Sequence, residues 1–300
     1  MFNQGNNNVK IEGILSEINL NEGSYTKGGK THEMISGTIK VRVEQDINKV
    51  HKVLEVPVSL FANKYKADNS PNPGYDNLKR LMSDYVSIAA GGLEKADVVR
   101  LGGCRISMNE YPGNDGRIVS YPRINAAFVN KGRSDELKSV ATFEVTMIIQ
   151  SMTKEINSQG EETGRMKVVG LIPQYGNIMD QTTFYVASPS VIDAISTYWN
   201  INDTVVAAGQ LDFSSKTETY VKDLGFGEPT EETRTINVSE LIITGGNPSP
   251  LADDKAYTRE QISEGLRNRE AKLNDMKEKR NRKPSAPAPT SSSSLDNYGF

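Results

Sequence analysis

Residues 35–43 carry the clearest pattern in the chain. Ile35, Ile39, Val41 and Val43 share one face with Gly37, while Thr38, Lys40 and Arg42 share the other. A period of two is that of a strand with one face buried, here with an apolar inside and a basic outside. Less regular runs predict strands over residues 9–20 and 53–61. Pro57 cannot donate to a ladder, so the second of these is expected to be an edge or bulged strand. Between the first two strands, residues 22–32 contain three glycines and read as a flexible tip. At residues 77–85 the period changes, and Leu78, Leu81, Met82 and Tyr85 fall on one helical face. Strand-like runs resume at 97–108 and 117–129, separated by a turn at 111–116.

The second half repeats this order. Strands are predicted over 140–155, 165–172 and 182–187. A helix follows over 188–199, with Ser188 as N-cap and Pro189 in the first turn, where its missing N–H is harmless. Tyr198 and Trp199 at its end read as core. Further strands are predicted over 203–213 and 235–243, and Gly245-Gly246-Asn247-Pro248 stops the last. A local identity supports the pairing of the halves: Asp97, Val99 and Gly103 fall on Asp203, Val205 and Gly209 without a gap. Strand, strand, strand, helix, strand, strand is the plan of the OB-fold, a five-stranded barrel. The sequence therefore predicts a mainly β protein of two tandem OB-fold-like barrels, residues 9–130 and 140–246, each with a helix between strands three and four. A leader (1–8) precedes them and a polar linker (131–139) joins them. Gly103 and Gly209 are expected to mark a bulge or tight bend.

Beyond the barrels the character changes. Thr258, with Gln261 three residues on, has the spacing of a capping box, and a helix is predicted over 258–283. Its end is basic, a run expected to be solvated. Residues 284–294 are Pro-, Ala- and Ser-rich and cannot bury a core, so they are expected to form a disordered tether. At its end stand Leu295, Asp296, Tyr298 and Phe300, apolar groups that solubility does not explain.

Composition narrows the function. Three hundred residues suffice for two domains. No apolar run approaches the ~20 residues that span a bilayer, and the first eight residues lack the basic start and apolar segment of a signal peptide. The single cysteine, Cys104, leaves no partner for a disulfide within the sequence and reads as a small buried hydrophobe in a reducing compartment. A cytoplasmic protein is expected. With two histidines and one cysteine there is no zinc spacing. A phosphate-binding loop and a nucleophile elbow are both lacking. No cofactor or metal, and no enzyme activity, is expected. Net charge is −3, so any surface for a polyanion must be local.

Such a local surface is legible. Single strands are held by cations that track phosphates and by aromatic faces on which bases stack. In the first barrel the candidates are Tyr25, Lys27 and Lys30; Lys40 and Arg42; Lys64, Tyr65 and Lys66; Tyr111 and Arg117; Tyr121 and Arg123. The second has fewer: Arg165, Lys167, Tyr185, Lys216, Tyr220 and Lys222, beside an acidic tip at Glu161-Glu162. The first barrel is therefore expected to dominate binding.

The doubled element order, the Pro/Ser tether and the terminal Tyr298-Gly299-Phe300 resemble single-stranded-DNA-binding proteins, particularly those of bacteriophages. The resemblance implies a protein that coats exposed strands in replication, recombination and repair. In the bacterial family an acidic, Phe-terminated tip docks onto partner enzymes, which implies that role for Leu295, Asp296, Tyr298 and Phe300. The tip departs from that pattern in having Asp296 as its one acidic side chain after Glu278. A non-enzymatic virion or assembly protein of two β-domains is the alternative. Clustered Tyr and Arg on one barrel face would favour DNA, and a continuous apolar patch would favour assembly.

Overall fold

The structure is a computed structural model that describes residues 5–282 except 114, 158, 223–229 and 253. The strands β1 (Asn7–Lys27), β2 (Lys30–Ile47) and β3 (Val50–Asn63) form an antiparallel meander. β6 (Ile118–Ala126) joins β3 in parallel at Val58–Leu60 and pairs with β5 (Arg105–Pro112). β5 continues β4 (Val98–Gly102), which returns to β1 and closes the circuit. Helix α1 (Pro73–Asp84), followed by the single turn α2 (Ile88–Gly91), lies between the third and fourth strands and buries Tyr75, Leu78 and Leu81. This is the OB plan.

The plan occurs again. β8 (Val140–Ile156), β9 (Glu162–Gln174) and β10 (Ile178–Val186) form the second meander. β14 (Glu240–Gly246) runs parallel to β10 at Tyr185–Ile242, and β11 (Thr204–Asp212) pairs with both β14 and β8. Helix α3 (Pro189–Tyr198) stands between the third and fourth strands. A hairpin, β12 (Ser215–Lys222) and β13 (Thr230–Asn237), is inserted between the fourth and fifth.

The repeated aspartates explain part of the internal identity. In each barrel the aspartate carbonyl accepts an N–H from the first strand: Leu15 to Asp97 and Ile149 to Asp203, both 2.9 Å. Each carboxylate accepts an N–H from the segment after the helix, Val86 at 2.8 Å and Asn200 at 2.7 Å. The shared residue is thus a structural latch between helix and fourth strand.

Several sequence expectations change. Residues 22–32 are mostly paired strand rather than a flexible tip. Only Gly28 and Gly29, with φ of +58° and +76°, make the turn, and Tyr25 stacks on His32 at 5.2 Å. The fourth strand breaks after Gly102. Gly103 has φ +63°, and a Cβ there would lie 2.9 Å from the Ala127 Cβ. The fifth breaks too, since β7 (Phe128–Lys131) turns back onto β4. The β3 ladder with β2 shows no bulge. Pro57 precedes the residues where β6 joins, on a stretch whose second edge is largely free. Trp199 is buried, and its indole N–H donates to the Asn247 carbonyl at 2.9 Å, but Tyr198 is exposed at the helix end.

Cys104 is buried, which pushes its thiol up to about 12. Gly209 marks a bulge against β14. A Cβ on it would sit 2.0 Å from the Ile242 carbonyl oxygen and 2.6 Å from the Phe143 ring. Neither backbone nor a core ring can yield, so Gly209→Ala is expected to destabilise the protein by roughly 3 kcal/mol. Denaturant unfolding followed by circular dichroism measures this, and a midpoint equal to wild type would contradict the packing described.

The barrels are joined more extensively than a linker would require. Asn7–Glu12 of β1 pairs with Val140–Val145 of β8, so one continuous sheet passes through both. Helix α4 (Arg259–Arg282) starts with the expected capping box: Gln261 Oε1 accepts from the Thr258 N–H at 2.9 Å, and the Gln261 N–H donates to Thr258 Oγ1 at 3.3 Å. Ile262 and Leu266 pack on Ile148, Leu171 and Met179 of the second barrel. Farther on, Arg269 meets Glu110 of the first barrel, and Arg280 donates to the carbonyls of Pro112 and Gly113. Among the described residues no helix is long and apolar enough to cross a membrane.

Candidate nucleic-acid interface

The alternation that places Leu54, Val56, Val58 and Leu60 inside the first barrel places Glu55, Pro57, Ser59 and Phe61 outside. Cross-strand pairing sets Ser36, Thr38 and Lys40 of β2 beside Phe61, Ser59 and Pro57. On the far side, Ser107 and Asn109 of β5 stand opposite Arg123 and Tyr121 of β6. The outer surface of β2, β3, β6 and β5 is therefore one face, with polar and aromatic side chains interleaved.

Arg123 sits near its middle. Its Nε donates to Ser59 Oγ at 2.7 Å, and no carboxylate among the described residues pairs with it. At one end Tyr111 and Tyr121 meet edge to face, centroids 6.2 Å apart, both exposed. Asn109 donates its amide to the Tyr121 hydroxyl. At the other end is Phe61, 54% exposed. Counting along the paired strands separates Phe61 from Tyr121 by six residues, roughly 20 Å at about 3.3 Å each. That span matches about six stacked nucleotides at 3.4 Å per nucleotide.

A cleft of about 660 Å³ lies along this face, bounded by Thr38, Lys40, Pro57, Tyr121 and Arg123 of the first barrel and by Phe213–Ser215 and Asn237–Ser239 of the second. Its second wall exists because the Leu54 strand edge bridges to Ser214, with the Glu55 N–H donating to the Phe213 carbonyl at 2.9 Å. Glu55 also lines the cleft, so it is not uniformly positive.

The predicted site residues divide by their partners. Lys40 pairs with Glu17 at 2.6 Å, Arg42 with Glu44 at 2.8 Å, Lys64 with Glu33 at 2.7 Å and Arg117 with Asp115 at 3.7 Å. The hydrogen bond from Lys40, then that from Asn19, holds the Glu17 carboxyl below the usual glutamate range. Exposed pairs of this kind contribute about 0–1 kcal/mol, so a phosphate could replace the carboxylate at little cost. Lys27, Lys30 and Lys66 have no ion-pair partner among the described residues. Tyr25, Lys27 and Lys30 stand on the β1–β2 hairpin. Tyr65 is exposed beyond the end of β3, and the Lys64 ammonium lies 5.9 Å from its ring. That group flanks the face rather than lining the cleft.

In the second barrel Arg165 is held by Glu155 at 3.3 Å and Glu240 at 2.7 Å, with its guanidinium 4.5 Å from the Tyr185 ring. Tyr185 is half-buried against the core, and Lys167 pairs across from it. Arg165 and Tyr185 line a neighbouring cleft that shares Asn237–Ser239 with the first. Lys216, Tyr220 and Lys222 lie on β12, but their side chains are outside the described ones, as are Leu295, Asp296, Tyr298 and Phe300 altogether. Among the described residues no cluster of three His, Cys, Asp or Glu side chains could hold a metal ion.

Sequence reasoning did not single out Phe61, which it placed only as the last residue of the predicted strand 53–61. The signal was present, because Phe61 keeps step with Glu55 and Ser59 rather than with Leu60.

A tandem pair of OB-fold barrels, the first with aromatic and cationic side chains interleaved on its outer face, defines the class of β protein. The chain belongs to the YorF family, whose model matches residues 6–279. No curated protein matches the sequence. Among solved structures it is similar to a deletion variant of the single-stranded DNA binding protein from Thermus aquaticus (11% identity, 86% of this chain and 98% of that chain, TM-score 0.47). The wild-type form of that protein gives 9% identity, 83% and 95% coverage and a TM-score of 0.46. A replication protein A heterotrimer bound to ssDNA gives 11% identity, 90% and 53% coverage and a TM-score of 0.23.

Proposed function

We propose that this protein binds single-stranded DNA, with little sequence preference, across the outer face of its first barrel. The observation that carries the reading is the placement of exposed Phe61, Tyr111 and Tyr121 around Arg123 on the strand face that OB-folds use for oligonucleotides. Aromatic faces accept any base, whereas reading a major groove takes a helix or ribbon, and none of the described helices lines the cleft along this face. Asn, Ser, Thr and Pro interrupt the aromatics, so the face lacks the continuous apolar patch that an assembly surface would present.

The protein acts, in this reading, as a binding protein rather than an enzyme, coating exposed strands in replication, recombination and repair in the cytoplasm of a phage-infected host. Leu295, Asp296, Tyr298 and Phe300 serve as a tip that recruits partner proteins; their sequence alone supports this part. The first barrel supplies most of the affinity, because Arg165 is already held by two carboxylates and Tyr185 is partly committed to the core.

Titration with labelled oligo-dT and with duplex of equal length tests the reading. Oligo-dT is expected to bind more tightly, with log affinity falling against log salt at a slope of roughly −3 for four phosphate contacts. Tighter binding to duplex, or no oligo-dT binding at low salt, would refute it.

A further inference from the structure

Tyr175 is 72% exposed, more than any other large apolar or aromatic side chain among the described residues. It stands on the turn between β9 and β10, where Gly176 and Asn177 have φ of +81° and +55°. The turn is firmly held. Asn177 donates its side-chain amide to Glu264 at 3.1 Å, and Asn268 donates to the Asn177 carbonyl at 2.9 Å, both on α4. On the other side Gln174 donates to the Ile106 carbonyl at 3.0 Å. The hairpin is thus fastened to α4 and to the first barrel while its aromatic ring is left in solvent.

That ring borders a cleft of about 450 Å³, lined also by Ser107, Gln174 and Lys272. Asn109 and Arg123 line this cleft and the larger one described above. Lys272 has no ion-pair partner within 4.0 Å among the described residues, although its charge acts on the buried Asp180. An aromatic face and a cation therefore continue the same track past Arg123, supplied by the second barrel and by α4.

We propose that Tyr175 and Lys272 extend the single-strand site: Tyr175 stacks a base and Lys272 meets a phosphate once the strand is long enough to leave the first barrel's face. The proposal rests on the single-strand reading above. It makes α4, beyond joining the barrels, a contributor to the site.

Fluorescence anisotropy with dT oligonucleotides of about 8 and about 30 nucleotides, short and long against the site of one barrel, separates the possibilities. Tyr175→Ala is expected to weaken binding of the long strand by roughly five- to a hundredfold, the loss of one stack. It should leave the short strand within about twofold, and Tyr175→Trp should bind like wild type, since stacking needs only a ring face. Lys272→Ala should weaken the long strand and reduce its salt slope by about 0.7. Because Tyr175 is so exposed, its replacement should leave the fold intact. Equal affinities of Tyr175→Ala and wild type at both lengths would overturn the extension, and so would equal weakening at both. Wild type that binds neither length would overturn the single-strand reading and this inference with it.

Discussion

Arg269→Ala is expected to lower the melting temperature by roughly 10 °C. Arg269 comes from α4, and its guanidinium pairs with Glu110 of β5 at 2.5 Å; the Glu110 side chain is 2% exposed. Ser120 Oγ also donates to Glu110, at 3.2 Å. Close by, Asp180 of β10 accepts the Met108 N–H at 2.9 Å, and burial raises its carboxyl above the usual aspartate range. Removing Arg269 leaves one buried carboxylate without its cation and another with less positive charge near it. Breaking a buried pair from one side costs about 3–5 kcal/mol, and each kcal/mol moves the midpoint of a large domain by roughly 2–4 °C. Replacing both partners with apolar residues of similar volume, Glu110→Leu with Arg269→Met, should recover much of the loss, because the double change removes the stranded charge. Calorimetry of the three variants decides the matter. A single variant melting within about 2 °C of wild type would show that this junction does not hold α4 to the first barrel.

The second large effect concerns binding. Phe61→Ala combined with Tyr121→Ala should weaken oligo-dT affinity at least thirtyfold, from two stacks of roughly 1–3 kcal/mol each. Both rings are about half exposed, at 54% and 44%, so little core packing is lost and the melting temperature should hardly move. Tyr185→Ala is the informative comparison. Its ring packs partly on the second core and under the Arg165 guanidinium, so its replacement should cost stability more than affinity. If the double variant bound oligo-dT as wild type does, the first barrel's face would not be where bases stack.

Much of this architecture was legible in the sequence because its determinants are local. The two-residue alternation of Ile35 to Val43 needs no long-range information. Nor does the change to helical spacing at Leu78 and Leu81, and the Thr258–Gln261 capping box likewise declared the start of α4. What could not be read was pairing between distant segments. Nothing near Asn7 announces that β1 will pair with β8, and nothing near Ser214 announces that it will reach β3 and form the second wall of the cleft. The breaks after Gly102 and at Ala127 arise because one strand must serve two neighbours in a closed barrel, a demand that appears only once the circuit closes.

The candidate site was legible in kind but not in arrangement. Tyr121 and Arg123 do share a face, as their spacing of two requires. The cation at Lys64 was visible, but its carboxylate partner Glu33 comes from another strand. Phe61 and Tyr175 were missed for opposite reasons. The first was hidden in an apolar run whose phase decides its side, and the second lies in a turn held by Glu264 and Asn268 of α4, 87 and 91 residues beyond Asn177.

The most direct test is to ask where a bound strand lies. A dT oligonucleotide carrying a photoactivatable base can be cross-linked to the protein and the modified peptides mapped by mass spectrometry. The structure predicts adducts on Phe61, Tyr111 and Tyr121, on the outer face of β3, β5 and β6, and their loss on competition with unlabelled oligo-dT. Adducts confined to the helix ends of the barrels, around Tyr85 and Tyr198, would contradict it.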